Sequence, residues 1–435
     1  MATMIGPAKV KPGVAMVGVT TLVFLASKAT AFLAPMLLAR SMPVTDYGTI
    51  ELALAWGTPC AILAGLGLHG AVPYFLLKLN RPESKRVYFL HAGAVCLILG
   101  VAALLFRLTP LSVVVALALL ITAIFCAQNI YAALLKTESH PAAASFAEVS
   151  VYCVLFVLVG ILVLSHLPIS MSEIFGLLVS VVALFFGISA FLYQGATARD
   201  GFISAYRDSI MYGLPIIVSA VLGTLLMSGG RILIGALLGV ADVAIFSLLF
   251  RMAAAAVMMH QLTATMVFPK LYQLAPARLN YILVGIQSLV LAAAIGVATV
   301  GFPVGRWLFP LLRSDSAPIH QILVAVCIQM FYWCVAAQCE FIFYRENLGS
   351  LYARWLGVVF TLLVAGSYGL KFAGLATLLS LANCQLVVTF VATIGALILL
   401  WRKSVRLPLP LLLSSAVFVI YWTEHATYMA FRLHH

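Results

Sequence analysis

The sequence predicts an all-α polytopic membrane protein with about 12 transmembrane helices in two six-helix lobes, related by a pseudo-twofold axis along the membrane normal. Three observations lead there. The 435 residues are 64% hydrophobic and 9% charged, with a mean hydropathy of +1.13, which is more apolar surface than one soluble core can hide. The apolar residues come in runs of roughly 20, and a helix of that length, rising about 1.5 Å per residue, crosses a hydrocarbon core of about 30 Å. Finally, a stretch near residue 40 returns in the second half of the chain with its polar landmarks in register. Barrel strands are excluded, because runs such as "VVVALALLITAIFCA" show no alternation of apolar and polar residues.

Along the chain, helices are expected near residues 14 to 38, 49 to 77, 87 to 106, 111 to 135, 146 to 165 and 172 to 194. A second series follows near 209 to 238, 243 to 268, 281 to 304, 319 to 343, 352 to 370 and 373 to 400. The lobes are therefore placed at residues 1–200 and 201–403, with a tail at 404–435. The start, "MATMIGPAKVKPGVAMVGVTTLVFLASKATAF", pairs basic residues with an apolar stretch too long for a signal peptide, and is read as an uncleaved first helix. The tail holds an apolar segment suited either to an extra span or to an interfacial position.

The formal net charge of +12 is spread through short inter-helix segments rather than gathered in one stripe, so nucleic acid is not an expected partner. Membrane orientation explains the charge better. With a cytoplasmic N-terminus, the inner segments carry 16 of the 25 basic residues and the outer ones six, including Arg40, Arg107, Arg306, Arg313 and Lys371. Lys28, Arg231 and Arg251 then lie within the membrane. The eight cysteines all fall in apolar runs, with no C-x-x-C pair or zinc spacing, and read as small membrane hydrophobes.

"LLARSMPVTDYGTIELALAW" (37 to 56) and "LIGALLGVADVAIFSLLFRM" (233 to 252) align at a constant offset of 196, which carries Val44 to Val240, Asp46 to Asp242, Gly48 to Ala244 and Leu52 to Leu248. Pro73 and Pro269 keep the same offset. Asp242 thus belongs to an outer turn, and Arg231 and Arg251 to two different helices, each about 13 to 17 Å from the outer end. Six helices between repeat units make the halves parallel, and transporters built in this way place substrate between the halves. The outer loops are short and acid-poor, which disfavours a membrane glycan polymerase or acyltransferase needing a catalytic carboxylate or histidine there. "GLGLHG" (65 to 70) satisfies G-x-G-x-x-G but lies inside an apolar helix with no preceding strand. It is read as a packing or bending point between Pro59 and Pro73. No P-loop occurs and no cofactor is expected.

Two stretches, "LLARSMPVTDYGTIELALAWGTPCAILAGLGLHGAVPYF" and "YGLPIIVSAVLGTLLMSGGRILIGALLGVADVAIFSLLFRMA", resemble the multidrug/oligosaccharidyl-lipid/polysaccharide exporter superfamily, in particular the polysaccharide-transport branch with O-antigen and exopolysaccharide flippases. Family members often have an Asp-Arg pair where this sequence has Gly230-Arg231. The resemblance implies a V-shaped bundle around a central cavity in a bacterial inner membrane. It also implies a task, namely flipping an undecaprenyl-diphosphate-linked oligosaccharide outward, with membrane lipids and glycan polymerase or assembly proteins as further partners.

Such a substrate pairs an anionic diphosphate with a polar glycan and a lipid tail, so fixed cations in a lumen would suit its head. Lys28, Arg231 and Arg251 are the expected substrate-binding residues, since an unpaired intramembrane cation costs at least about 2.5 kcal/mol outside a wet cavity; the plainer alternative is a structural ion pair or a snorkelled side chain. Arginine offers phosphate a fork and lysine a point charge. His69, Gln128, Asn129, Glu148, His260, Gln261 and Glu340 are candidates for polar cavity contacts or ion coupling, against a plainer role in interhelical hydrogen bonds or at the interface. A cation-coupled drug exporter of the same superfamily would call for central carboxylates instead of central cations. A non-transporting scaffold for glycan assembly would tolerate neutralisation of those cations.

Overall fold

The computed structural model describes residues 14–79, 81, 84–108, 113–138, 140–165, 169–195, 202–271, 276–313, 318–346, 348–403 and 405–433, so Lys9 and Lys11 lie outside the described residues. Those residues are helical almost throughout, because a chain in hydrocarbon must satisfy every backbone N–H and C=O internally. In the first half the helices are α1 (Val14–Ser41), α2 (Val44–Ala64), α3 (Leu68–Pro73), α4 (Ser84–Leu108), α5 (Val113–Thr137), α6 (Pro141–Leu164) and α7 (Met171–Gly195). The second half has α8 (Phe202–Leu237), α9 (Val240–Leu271), α10 (Pro276–Gly296), α11 (Phe302–Leu308), α12 (Pro318–Arg345), α13 (Gly349–Phe372), α14 (Leu378–Arg402) and α15 (Pro408–Leu433). Among the described residues eleven helices are long and apolar enough to cross a membrane, or twelve if the bent α2–α3 pair is one span.

Each of the twelve expected helices is present. The turn between α1 and α2 follows from Pro43, which excludes the α conformation from the residue before it and starts α2. Asp46 and Asp242 both fall in the first turn of their helices, where a carboxylate meets the positive end of the helix dipole. Arg231 therefore sits on α8 and Arg251 on α9, on either side of the turn at Leu238 and Gly239. The expected helix at 49 to 77 breaks at the glycines. Leu66 and Gly67 have φ of 47° and 68°, the axis turns by 46° into α3, and a π-helical stretch, Tyr74–Lys78, continues it. Gly67 is needed twice over, since its backbone conformation suits glycine and a Cβ there would strike the backbone of Gly213 on α8.

The repeat is visible in the packing. In the first half α2 packs on α5, α1 on α6, and α4 on α5; the counterparts α9 on α12, α8 on α13, and α10 on α12 pack likewise. The halves meet chiefly along α2 and α3 against α8, and along α2 and α1 against α9. At the turn end of this seam Gly48 touches the backbone of Val240 and faces Ala244, its own partner at the offset of 196. Two equivalent positions in contact mark where the pseudo-twofold axis passes. At the opposite end Tyr74 stacks on Tyr212 at 4.3 Å and Arg81 pairs with Asp208 at 3.2 Å. The tail is helical and belongs to the bundle, with α15 packing on α10, α12 and α14 and burying Ser414, Val417 and Tyr421.

Candidate functional site

The central feature of the seam is an ion triad that crosses it. Glu51, on α2 one turn below the contact of Gly48 with Val240, is fully buried. Its Oε1 accepts from Arg251 Nε at 2.7 Å and its Oε2 from Arg231 Nη1 at 3.2 Å. One carboxylate from the first half thus holds two guanidiniums from the second. Desolvating each of these ions costs several kcal/mol, so such a cluster survives only through mutual pairing. Arg231 also lies over the Phe250 ring at 4.8 Å. Tyr47, one turn before Glu51, is buried beside Glu51 and Arg251, and Tyr152 of α6 is within electrostatic reach of all three charges.

The triad has a formal charge of +1 and donors to spare. Arg231 Nε and the Ser247 hydroxyl, one turn before Arg251, are buried without a hydrogen-bond partner. Chemically this is an acceptor-poor, cation-rich cluster.

The sequence expectation therefore needs correction in one respect. Arg231 and Arg251 are level with each other as expected, but they are not unpaired cations lining an open lumen, because Glu51 binds both. Lys28 is not unpaired either. Its Nζ lies 3.7 Å from Glu148 on α6, whose other oxygen takes Lys136 of α5 at 2.5 Å. Lys28 is 23% exposed, so it remains partly open. Each of the three cations has a carboxylate that reduces its desolvation cost.

The polar candidates separate. Gln128 is buried and donates to Ser150 at 2.8 Å, an interhelical bond between α5 and α6. Asn129 is half-buried beside it, and His69 lies half-buried on α3 beyond the bend. His260 is buried on α9, with Gln261 half-buried next to it. Glu340 lines a cavity of about 280 Å³ in the second half, with Ser219, Thr224, Tyr352 and Thr389 in its wall. These residues do not converge on the triad.

At Gly230, where family members often carry aspartate, the carboxamide of Gln385 from α14 occupies the space a Cβ would need. Gln385 donates to the Leu226 and Met227 carbonyls at 3.3 and 3.5 Å. The acid that pairs Arg231 comes instead from Glu51, across the seam.

Sequence reasoning missed Glu51, Tyr47, Tyr152 and Ser247. The signal for Glu51 was present in the repeat. At the offset of 196 it falls on Ser247, four residues before Arg251. A helical side chain covers the turn N-terminal to its own Cα, which brings Arg251 to the level of Glu51.

The family described as polysaccharide biosynthesis protein matches residues 14–275. No curated protein matches the chain by sequence. Among solved structures, an inward-facing multidrug resistance MATE family transporter of the MOP superfamily has a TM-score of 0.56 at 14% identity, covering 88% of this chain and 98% of the other. The inward closed conformation of the lipid II flippase MurJ has a TM-score of 0.55 at 12% identity, with coverage of 93% and 92%. An outward-facing MATE family transporter follows at 0.53 and 14%, covering 89% and 94%. At these identities the likeness is one of fold.

Proposed function

The chain belongs to the polysaccharide biosynthesis protein family, and from that premise we propose that it flips an undecaprenyl-diphosphate-linked oligosaccharide across the bacterial inner membrane by alternating access. Its N-terminus is then cytoplasmic, and the glycan serves a cell-surface polysaccharide such as O-antigen or exopolysaccharide. The observation that carries this reading is the buried triad at the seam of the halves, with its net positive charge and unpartnered donors. A diphosphate supplies acceptor oxygens that two arginines can grip bidentately. When it arrives, it competes with Glu51 for the guanidiniums, and losing that tie loosens α2 from α8 and α9. Recognition of the head and movement of the halves become one event.

A cationic drug fits this centre poorly. The carboxylate is there, but it is enclosed by two guanidiniums and the sum stays positive. A shared fold with a lipid flippase supports transport over catalysis. Energy can come from the membrane potential, which favours outward movement of an anion by about 2.3 kcal/mol per charge per 100 mV.

The test is transport of an undecaprenyl-diphosphate oligosaccharide in proteoliposomes, with and without an imposed potential, alongside complementation of a flippase-null strain. Wild-type protein is expected to move the substrate. Arg231→Ala and Arg251→Ala at matched protein levels are expected to lose at least tenfold in rate, and Lys28→Ala less. Full activity from all three variants rejects the anion-site reading. Indifference to potential and to ion gradients rejects the energetic part.

A further inference from the structure

The bend between α2 and α3 contains a strained residue and a displaced carbonyl. Leu66 has φ of 47°, a left-handed conformation that a leucine disfavours. In an unbroken helix the Leu68 N–H would reach the Ala64 carbonyl four residues back, but here it donates to the Gly65 carbonyl at 2.9 Å. The Ala64 carbonyl accepts instead from His91 of α4, whose Nε2 lies 2.8 Å away. A carbonyl can only accept, so Nε2 carries the proton, and Nδ1 of the neutral ring accepts from the Tyr206 hydroxyl of α8 at 2.9 Å. His91 is buried, and it links the bend in the first half to a helix of the second.

The same two turns of α8 carry the other contacts at this end of the seam. Gly213 packs so closely on the Leu66–Gly67 backbone that a Cβ on either glycine would strike the opposite chain. Tyr212 stacks on Tyr74, and Asp208 pairs with Arg81. The bent backbone is thus held from the side, by α4 and α8, rather than by the hydrogen bonds of its own helix. The second half shows the converse. At the offset of 196 Gly67 becomes Thr263, and α9 runs through that position unbroken. His91 becomes Gln287, whose amide turns to Gln338 of α12 and not to a helix carbonyl.

We propose that His91 is a positioning residue of the transport cycle, holding α2 bent only while α8 lies against α3 and α4. When these ends part, the imidazole loses Tyr206 and the Leu66–Gly67 backbone loses the support of Gly213. The Ala64 carbonyl then returns to the Leu68 N–H, Leu66 leaves the left-handed region, and α2 and α3 straighten into one span. A few residues at the break absorb the change, as in other hinges. This end is the inner one in the orientation proposed above, and its opening reshapes the helix that carries Glu51. The inference rests on the alternating-access reading for its place in a cycle.

Double electron–electron resonance on the full chain in nanodiscs tests it, with spin-labelled non-canonical residues so that the native cysteines stay in place. A pair at the exposed Leu90 and Arg207 reads the separation of α4 from α8, and a pair at the exposed Trp56 and Leu77 reads the bend. In the wild type the bend is expected to relax in the same fraction of molecules whose inner ends have parted. Asp208→Ala with Tyr212→Ala removes two ties that touch neither His91 nor the break, and is expected to raise the parted and the straight fractions alike, by about threefold or more. His91→Ala is expected to do the same, whereas His91→Gln, which can donate to Ala64 and accept from Tyr206, keeps the wild-type distribution. A straight fraction that does not follow the parted fraction overturns the inference. So does a wild-type distribution in His91→Ala, or failure of His91→Gln to keep the bend. Where His91→Ala yields no folded protein, the Asp208→Ala/Tyr212→Ala variant decides. Wild-type protein that couples the two distances but moves no undecaprenyl-diphosphate oligosaccharide sinks the flippase reading alone, whereas transport with the bend fixed sinks this inference alone.

Discussion

The two halves of the molecule share a scaffold but not a charge pattern. In the first half α4 packs directly on α7, whereas in the second the corresponding helices, α10 and α14, both lean on α15. Glu51 has Ser247 as its counterpart, buried and without a hydrogen-bond partner. Lys28 and Glu148 form an ion pair in the first half, and their counterparts at the same offset are Thr224 and Tyr344 near the Glu340 cavity. Duplication therefore explains how the helices stack, and divergence of a few buried polar positions explains how the halves are tied. A carboxylate on one side of the axis and two guanidiniums on the other make a contact that occurs once, where a symmetric molecule would make it twice.

The largest effect expected from breaking this asymmetry is at Glu51. Glu51→Ala leaves two buried guanidiniums unpaired, a loss of about 3 to 5 kcal/mol for a buried pair broken from one side. Thermal unfolding in detergent is expected to show a clear fall in midpoint or a loss of monodisperse protein. An unchanged midpoint would mean that water or lipid, not Glu51, satisfies the arginines. Moving the carboxylate across the axis sharpens the point. Glu51→Ser with Ser247→Glu places the acid four residues before Arg251 on the same helix. Stability is expected to recover by about 2 kcal/mol relative to Glu51→Ser alone, roughly the value of a charged hydrogen bond. Transport is expected to stay lost, because α2 no longer holds the arginines. Recovery of both would show that pairing alone matters, not which half supplies it.

Much of this was legible in the sequence. Hydropathy runs gave the helices, and the Asp46/Asp242 register gave the turn that separates Arg231 from Arg251. The bend at "GLGLHG" was readable because glycines and prolines weaken a membrane helix. What stayed hidden was pairing between helices. Glu51 reads as one acid in an apolar run, and only its depth relative to Arg251, set by the repeat, distinguishes it from an interfacial carboxylate. Lys28 and Glu148 are 120 residues apart in sequence, and nothing local joins them. Gln385 filling the space beside Gly230 is likewise a contact between α14 and α8 that no single-helix pattern encodes.

An intermediate effect is expected at the bend, which has no counterpart in the continuous helix α9. Gly67→Ala must place a side chain in a left-handed conformation and against the Gly213 backbone, at a cost of about 1 to 3 kcal/mol. A lowered unfolding midpoint with reduced transport is the expected result. A midpoint equal to wild type would mean that α3 and α8 separate easily at this point.

The smallest effect belongs to the pair that the second half lacks. Lys28 and Glu148 are 23% and 27% exposed at 3.7 Å, and Lys136 competes for the same carboxylate, so solvent screening limits their coupling to roughly 1 kcal/mol or less. A double-mutant cycle with Lys28→Met and Glu148→Gln, read by unfolding midpoint, is expected to return a small positive coupling. Transport separates two roles within the same cycle. If Lys28 acts only through Glu148, the double variant transports as well as Glu148→Gln alone. If Lys28 also meets the passing diphosphate, the double variant is slower, because removing the acid frees a lysine that the substrate can use and removing the lysine takes it away.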